Sequence, residues 1–239
     1  MPNISVIIPT KNEEAEIKQC LESIKSQTYR DFDIWVVDAY STDKTEEIAK
    51  EYTKNVIKTK AKFPGQARNE GVKKCDSKIV AFIDADTIAP KDWLERIAKD
   101  FSERDIVALG GVLRPLNPRL LDKIMFKINS DLWYRLTAKF GFYQLPTPNC
   151  AYKREIFLKA NGFNEEMSML EDTELSLRIK KYGKVFIDKN LYTLNSTRRF
   201  RQEGYFKVFC RYLIAYTNMF LGRKVKSRHF DVIEHEEQV

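Results

Sequence analysis

The sequence predicts an α/β domain, a mainly parallel sheet covered by helices on both faces, followed by a basic amphipathic C-terminal segment. Three observations carry that prediction. Short apolar runs rich in β-branched residues recur along the first part of the chain, amphipathic stretches of helical period lie between them, and each run ends in a polar, acidic turn.

The runs are 4–8 (Ile-Ser-Val-Ile-Ile), 34–38 (Ile-Trp-Val-Val-Asp) and 79–83 (Ile-Val-Ala-Phe-Ile). Their apolarity is continuous, as in strands buried on both faces of a parallel sheet. Met1 to Pro9 has no basic stretch and no long apolar core, so it reads as the first strand and not as a secretory leader. Helical patterns cover 13–26, with Ile17, Cys20, Leu21 and Ile24 on one face, then 43–53, about 65–75, and 92–101. Alternating strand and helix implies βαβ units with right-handed crossovers. From about residue 106 the pattern changes. Gly110-Gly111 and two prolines precede an amphipathic stretch, Leu120 to Phe140; a Pro-rich loop, a helix start at Glu171-Asp172, a stop at Tyr182-Gly183 and a short strand, Val185–Ile187, follow. No linker separates two domains, so one domain is placed at 1–200 and the C-terminal segment at 201–239.

Composition narrows the chemistry. The four cysteines form no Cys-x-x-Cys pair, which excludes a zinc knuckle and fits a reducing compartment. The only histidines, His229 and His235, fall in the last eleven residues, so carboxylates must carry acid–base work. The net charge of +7 is uneven: residues 198–228 hold nine Lys or Arg against one acid, and the last eleven residues hold four acids. Such a basic patch attracts a polyanion or an anionic membrane.

Ligands of parallel sheets bind beyond the carboxyl ends of the strands. The segments to read are therefore Pro9-Thr10-Lys11-Asn12-Glu13, Asp38 to Asp43, and Asp84-Ala85-Asp86. Two carboxylates two residues apart at a strand end can hold a hard divalent cation, Mg2+ or Mn2+, with donor phosphate, while the other binds a ribose. They can equally end the strand and cap the next helix. Arg68, in Gly65 to Gly71 after Pro64, can offer its fork to a phosphate or base, or be an ordinary surface arginine. Asp38 can accept from a base N–H or serve as a turn carboxylate. Asp172, in a first helical turn, is a candidate base, but acids there are also favoured by the helix dipole alone.

Taken together and in order, these segments resemble the family 2 glycosyltransferases of the GT-A fold. The segments are 5–14, 36–45, 65–71, 82–87 (Phe-Ile-Asp-Ala-Asp-Thr), 161–166 (Asn-Gly-Phe-Asn-Glu-Glu) and 171–178 (Glu-Asp-Thr-Glu-Leu-Ser-Leu-Arg). The resemblance implies a mixed sheet and an inverting transferase that uses a nucleotide sugar. It places Pro9, Thr10, Asn12, Glu13, Asp38, Arg68 and Asp84 at the donor, Asp86 at a divalent metal, and Asp172 as the base acting on the acceptor. Asp38-Ala39-Tyr40 departs from the family's two acids and a glycine. Asn195-Ser196 stands where many relatives have His-Ser, and the Gln-x-x-Arg-Trp signature of processive synthases is absent.

Tyr205–Gly222 is aromatic and apolar but interrupted by Lys207 and Arg211, and is shorter than a spanning helix of ~20 residues. It is read as lying in an anionic membrane interface, at the cytoplasmic face of the cell membrane. Core packing on the sheet and a homodimer contact remain open. The acceptor is taken as a lipid-linked glycan or cell-surface saccharide hydroxyl, with polyprenyl phosphate as the alternative. A sugar-nucleotide nucleotidyltransferase lacks its glycine-rich loop here. A nucleic-acid partner is not expected, because no binding motif accompanies the basic run.

Overall fold

The computed structural model describes residues 2–139, 141–223 and 225. It contains a mixed eight-stranded sheet in the order β3-β2-β1-β4-β7-β6-β8-β5. The first half follows the sequence pattern. β1 (Ile4–Thr10), β2 (Phe32–Asp38), β3 (Asn55–Lys58) and β4 (Ile79–Phe82) are parallel neighbours. They are joined through α1 (Ile17–Lys25), α2 (Thr45–Tyr52) and α3 (Pro64–Lys74). β3 escapes the sequence pattern because it is a four-residue edge strand, only half-buried, with no continuous apolar run.

The second half bears out the mixed sheet and adds strands that the sequence pattern did not show. After β5 (Thr87–Ile88) and α4 (Trp93–Glu103), the change of pattern at 106 is the start of a ten-residue strand, β6 (Ile106–Pro115). β7 (Cys150–Lys153) runs antiparallel between β4 and β6. The short strand expected at 185–187 is one part of β8 (Lys184–Asn195), which lies parallel to β6 and antiparallel to β5. Glycines in β6 and polar residues in β8 hide both from a search for β-branched runs. Leu145 closes on Gly110, and Asn149 explains Gly111. Its side-chain amide donates to the carbonyls of Val112 (2.9 Å) and Leu191 (3.1 Å), and its oxygen accepts from the Trp93 indole (2.8 Å). At Gly111 a Cβ would lie 2.2 Å from the Asn149 amide nitrogen and 2.4 Å from the Leu191 carbonyl.

Two apolar layers flank the sheet. On one face Ile4, Val6 and Ile8 of β1 join Leu21 and Ile24 of α1 and Trp93 and Ile97 of α4. On the other, Ile7 joins Val72 of α3, Phe157 of α7 (Arg154–Lys159) and Leu175 of α8 (Glu171–Ile179). The alternation along β1 is the two-residue period of a strand buried on both faces. The stretch from 120 forms α5 (Leu120–Phe126), a π-helical segment (Lys127–Trp133) and α6 (Tyr134–Lys139), end to end. The last described elements are α9 (Arg198–Glu203) and α10 (Tyr205–Phe220), and the rest of the basic segment expected at 201–239, residue 224 and the stretch from 226 on, lies outside the described residues. Among the described residues no helix is long and apolar enough to cross a membrane.

A methyl at Gly111 must push against backbone, so Gly111→Ala is expected to lose about 1–3 kcal/mol of folding stability, the usual cost of overpacking a core. Urea unfolding of the two proteins measures it. An unchanged midpoint would show that the β6–β8 seam yields.

Candidate active site

Beyond the carboxyl ends of β1 and β2, two loops are laced together by hydrogen bonds. The Thr10 hydroxyl donates to Asp38 Oδ1 (3.2 Å), the Ser41 N–H donates to Asp38 Oδ2 (3.0 Å), and the Ser41 hydroxyl donates to Oδ1. Asp38 is fully buried. Of the two roles open to it in the sequence, the structure displays the turn carboxylate. Asn12 takes a left-handed conformation (φ 52°), its N–H donates to Ser41 Oγ (2.9 Å), and its side-chain oxygen accepts the Thr42 N–H (2.9 Å). The Glu13 N–H donates to Thr45 Oγ1 (2.8 Å). Pro9 sits opposite Val37 in the β1–β2 register. The segment 9–13 is therefore a fixed wall, with its backbone donors held by serine and threonine hydroxyls.

Arg68 occupies the middle of the site. It is 2% exposed; Nη2 donates to Asp84 Oδ1 (2.6 Å) and Nη1 to Glu171 Oε1 (3.0 Å), while Nε has no partner. Both ends of the guanidinium fork are thus committed to carboxylates, one after β4 and one at the start of α8. Gly65 allows this approach, since a Cβ there would sit 3.3 Å from Glu171 Cγ.

Next to Asp84 lies a concentration of negative charge. Burial, and then the charge of Asp84, pushes the Asp86 carboxyl up to about 6, with Arg198 and Arg199 opposing. Burial and the charge of Asp86 push Glu13 up to about 8. Arg198, at the start of α9, reaches Glu16 (2.7 Å) and Glu13 (3.7 Å). Oε2 of Glu13 has no hydrogen-bond donor. A divalent cation binds the ionised form of such carboxylates and would relieve the crowding of charge that holds them up. Among the described residues no three such side chains form a ready cage, so a cation held here would need further oxygens, such as those of a phosphate ligand. Asn195 is turned away from this work: it donates to Thr87 Oγ1 (3.0 Å) and accepts from Thr193 (3.0 Å).

Asp172 follows Glu171 in the first turn of α8, just after Leu170, which is held at φ 63°. A left-handed leucine costs on the order of 1–3 kcal/mol and persists where surrounding packing enforces it. Burial first, and the charge of Glu171 second, raise the Asp172 carboxyl to about 7, against the pull of the Thr173 N–H, which donates to Oδ1 (2.6 Å). Desolvation therefore outweighs the helix terminus, a balance that sequence leaves open. Four tyrosines lie within electrostatic reach of this carboxylate: Tyr134 of α6, Tyr152 of β7, and Tyr212 and Tyr216 of α10. Burial raises each hydroxyl and the Asp172 charge adds to it. Sequence reading did not mark them; the four-residue step from Tyr212 to Tyr216, one helical face, was the available signal.

The Glycosyl transferase family 2 profile matches residues 5–158. The chain belongs to that family. As a family 2 glycosyltransferase it is 29% identical over 188 residues to the poly(ribitol-phosphate) β-N-acetylglucosaminyltransferase TarS of Staphylococcus aureus, covering 74% of this chain and 32% of TarS. Thus the chain spans about a third of that relative's length. It is 26% identical over 229 residues to a Methanococcus voltae dolichyl N-acetyl-α-D-glucosaminyl phosphate 3-β-D-2,3-diacetamido-2,3-dideoxy-β-D-glucuronosyltransferase (84% and 70% covered). The fold matches the crystal structure of TarS 1–349 in complex with UDP-GlcNAc, with a TM-score of 0.67, 24% identity, and 96% and 69% covered. It also matches the mannosyltransferase PcManGT of Pyrobaculum calidifontis in complex with GDP-Man and Mn2+, with a TM-score of 0.67, 22% identity, and 81% and 56% covered. The mixed sheet is thus that of a GT-A glycosyltransferase.

In this glycosyltransferase the folded state holds the Asp172 proton more tightly than the unfolded chain, whose carboxyl sits near 3.8. Ionisation then costs the fold stability as the pH rises through about 7, and the cost vanishes below about 3.8. Asp172→Asn is expected to melt higher than the wild type at pH 8, with the gap closing toward pH 4. Thermal melts across that range check the sign; an asparagine variant that melts lower at pH 8 contradicts it.

Proposed function

We propose that the chain is an inverting, metal-dependent transferase that moves a sugar from a UDP- or GDP-sugar to an acceptor hydroxyl, on a lipid-linked glycan or cell-surface saccharide. The observation that carries this reading is Asp172, a carboxylate raised to about 7 and joined to the Asp84 side of the site through Glu171 and Arg68. A base is most effective when its pKa lies near the working pH. Support for the donor comes from the UDP-GlcNAc and GDP-Man complexes of proteins with this fold. The name of the Methanococcus relative, which gives a dolichyl-linked sugar, supports the acceptor class.

In this reading Pro9, Thr10, Asn12 and Glu13 wall the nucleotide, and Asp38 acts on it through the Thr10 and Ser41 hydroxyls it fixes. Arg68 holds Asp84 toward the ribose and Glu171 away from it. A divalent cation held by Asp86 together with donor phosphate, Mn2+ in the mannosyltransferase, would supply charge neutralisation for the departing diphosphate. Asp172 takes the proton of the acceptor hydroxyl as it attacks from the face opposite the leaving group. The basic C-terminal segment draws the enzyme to an anionic membrane surface, at the cytoplasmic side in this proposal, with a homodimer contact as its competitor.

A hydroxyl acceptor predicts that Asp172→Asn loses at least ~100-fold in turnover while keeping donor affinity. The wild-type rate should rise with pH through about 7, because only the ionised carboxylate accepts a proton. A polyprenyl phosphate, already anionic with a second pKa of ~6, needs no base, so near-normal transfer by the variant would move the assignment to that acceptor. Separately, chelation should abolish donor turnover, and Asp86→Asn should lose activity while staying folded and melting no lower than the wild type. Undiminished turnover in excess EDTA removes the metal from the scheme.

A further inference from the structure

Two stretches of large apolar side chains face water. Along the rod from α5 to α6, Leu121, Ile124, Ile128, Leu132 and Leu136 recur every three or four residues and are 45–64% exposed. Along α10, Phe206, Phe209, Leu213 and Phe220 are 56–80% exposed. Single exposed leucines need no explanation, but contiguous patches of this kind mark an interaction surface.

The two stretches are neighbours. Arg201 and the Tyr205 hydroxyl both donate to the buried Asp122 of α5 (2.8 and 2.6 Å). Phe126 meets Phe200 edge-on at 5.4 Å. Further along, Phe142 just beyond α6 meets Tyr216 at 6.1 Å and Phe220 at 5.6 Å. Contacts advance together along both, so rod and helix lie side by side and run the same way.

Charge decides what covers them. Arg119, Lys123, Lys127, Lys139, Lys207 and Arg223 are exposed around the two stripes and form no ion pair among the described residues. The acids described in these elements are spent internally, Asp122 on Arg201 and Glu203 on Arg211. A second copy of this chain would set one positive rim against another. An anionic bilayer matches both features, apolar residues entering the interface and cations meeting headgroups.

The inner side of the same layer is the wall of the active site. Ala215, Tyr216 and Met219 of α10 pack on Met167, Met169 and Leu170, and Leu170 directly precedes Glu171-Asp172. One helix, ~10 Å thick, separates the exposed stripe of α10 from the residues around the base.

We propose that the rod 120–139 and α10 form one docking face for an anionic bilayer, which delivers a membrane-borne acceptor to Asp172 from the lipid side. The acceptor clause rests on the transferase reading; the docking face does not. This extends membrane contact from the C-terminal segment to a second element far from it in sequence.

The test uses the full chain and vesicles of phosphatidylcholine with or without about one third phosphatidylglycerol. The wild type should co-sediment with the anionic vesicles only, and release at high salt. Leu121→Glu/Ile124→Glu on the rod, and Phe206→Glu/Phe209→Glu on α10, should each lower the partition coefficient at least ~tenfold, with melting temperature and UDP binding unchanged. Wild-type protein that ignores anionic vesicles at low salt overturns the proposal. So does a rod variant that binds like the wild type, or a dimer in sedimentation velocity that the same substitutions split. If no protein binds either UDP or GDP while the vesicle results hold, the acceptor clause falls and the docking face stands.

Discussion

The buried guanidinium of Arg68 is the interaction on which the rest of this site depends. It joins Asp84 and Glu171, which belong to opposite halves of the chain, and it is almost completely withdrawn from solvent. A buried cation survives only when its partners are close and well oriented; removing one side of such a pair costs on the order of 3–5 kcal/mol. Arg68 thus sets the distance between the end of β4 and the start of α8. Asp84 and Asp172, proposed for the donor side and as the base, are fixed relative to each other by that distance.

The same constraint creates the electrostatics. Bringing α8 against α3 buries Glu171 and Asp172 together. Arg68 compensates Glu171 directly, whereas Asp172 has only a backbone N–H and a distant share of the guanidinium. Burial raises both carboxyls; Arg68 opposes the rise at Glu171, and Asp172 reaches about 7. Two adjacent acids thus acquire different electrostatics from their surroundings, one held in an ion pair and one without a side-chain cation beside it. The left-handed Leu170 is part of this arrangement, since it turns the chain sharply into α8 with Met167 and Met169 packed under α10.

Around this centre the molecule builds two different walls. The β1 and β2 loops are locked by hydroxyl-to-carboxylate and hydroxyl-to-backbone bonds, so the wall proposed for the nucleotide is held by the chain's own hydrogen bonds. Toward Asp172 the surroundings are helices and tyrosines, with a π-helical segment interrupting the rod. Such segments recur at functional sites because the widened turn re-aims side chains.

By itself the sequence determined the early strands, the helices between them, and the identity of the acidic and basic residues at the strand ends. Those features are local: a strand buried on both faces must be continuously apolar, and a helix must repeat every three to four residues. It left β6 and β8 hidden, because Gly110 and Gly111 answer to the close approach of Leu145, Asn149 and the Leu191 carbonyl, and not to strand propensity. Arg68 and Asp38 were visible as residues, but whether they face a ligand or other side chains depends on partners 103 and 28 positions away. The pKa of Asp172, the tyrosines around it and the pairing of the 120–139 rod with α10 were decided by the tertiary structure alone. Burial and charge coupling are sums over neighbours in space, and no local pattern in the chain encodes them.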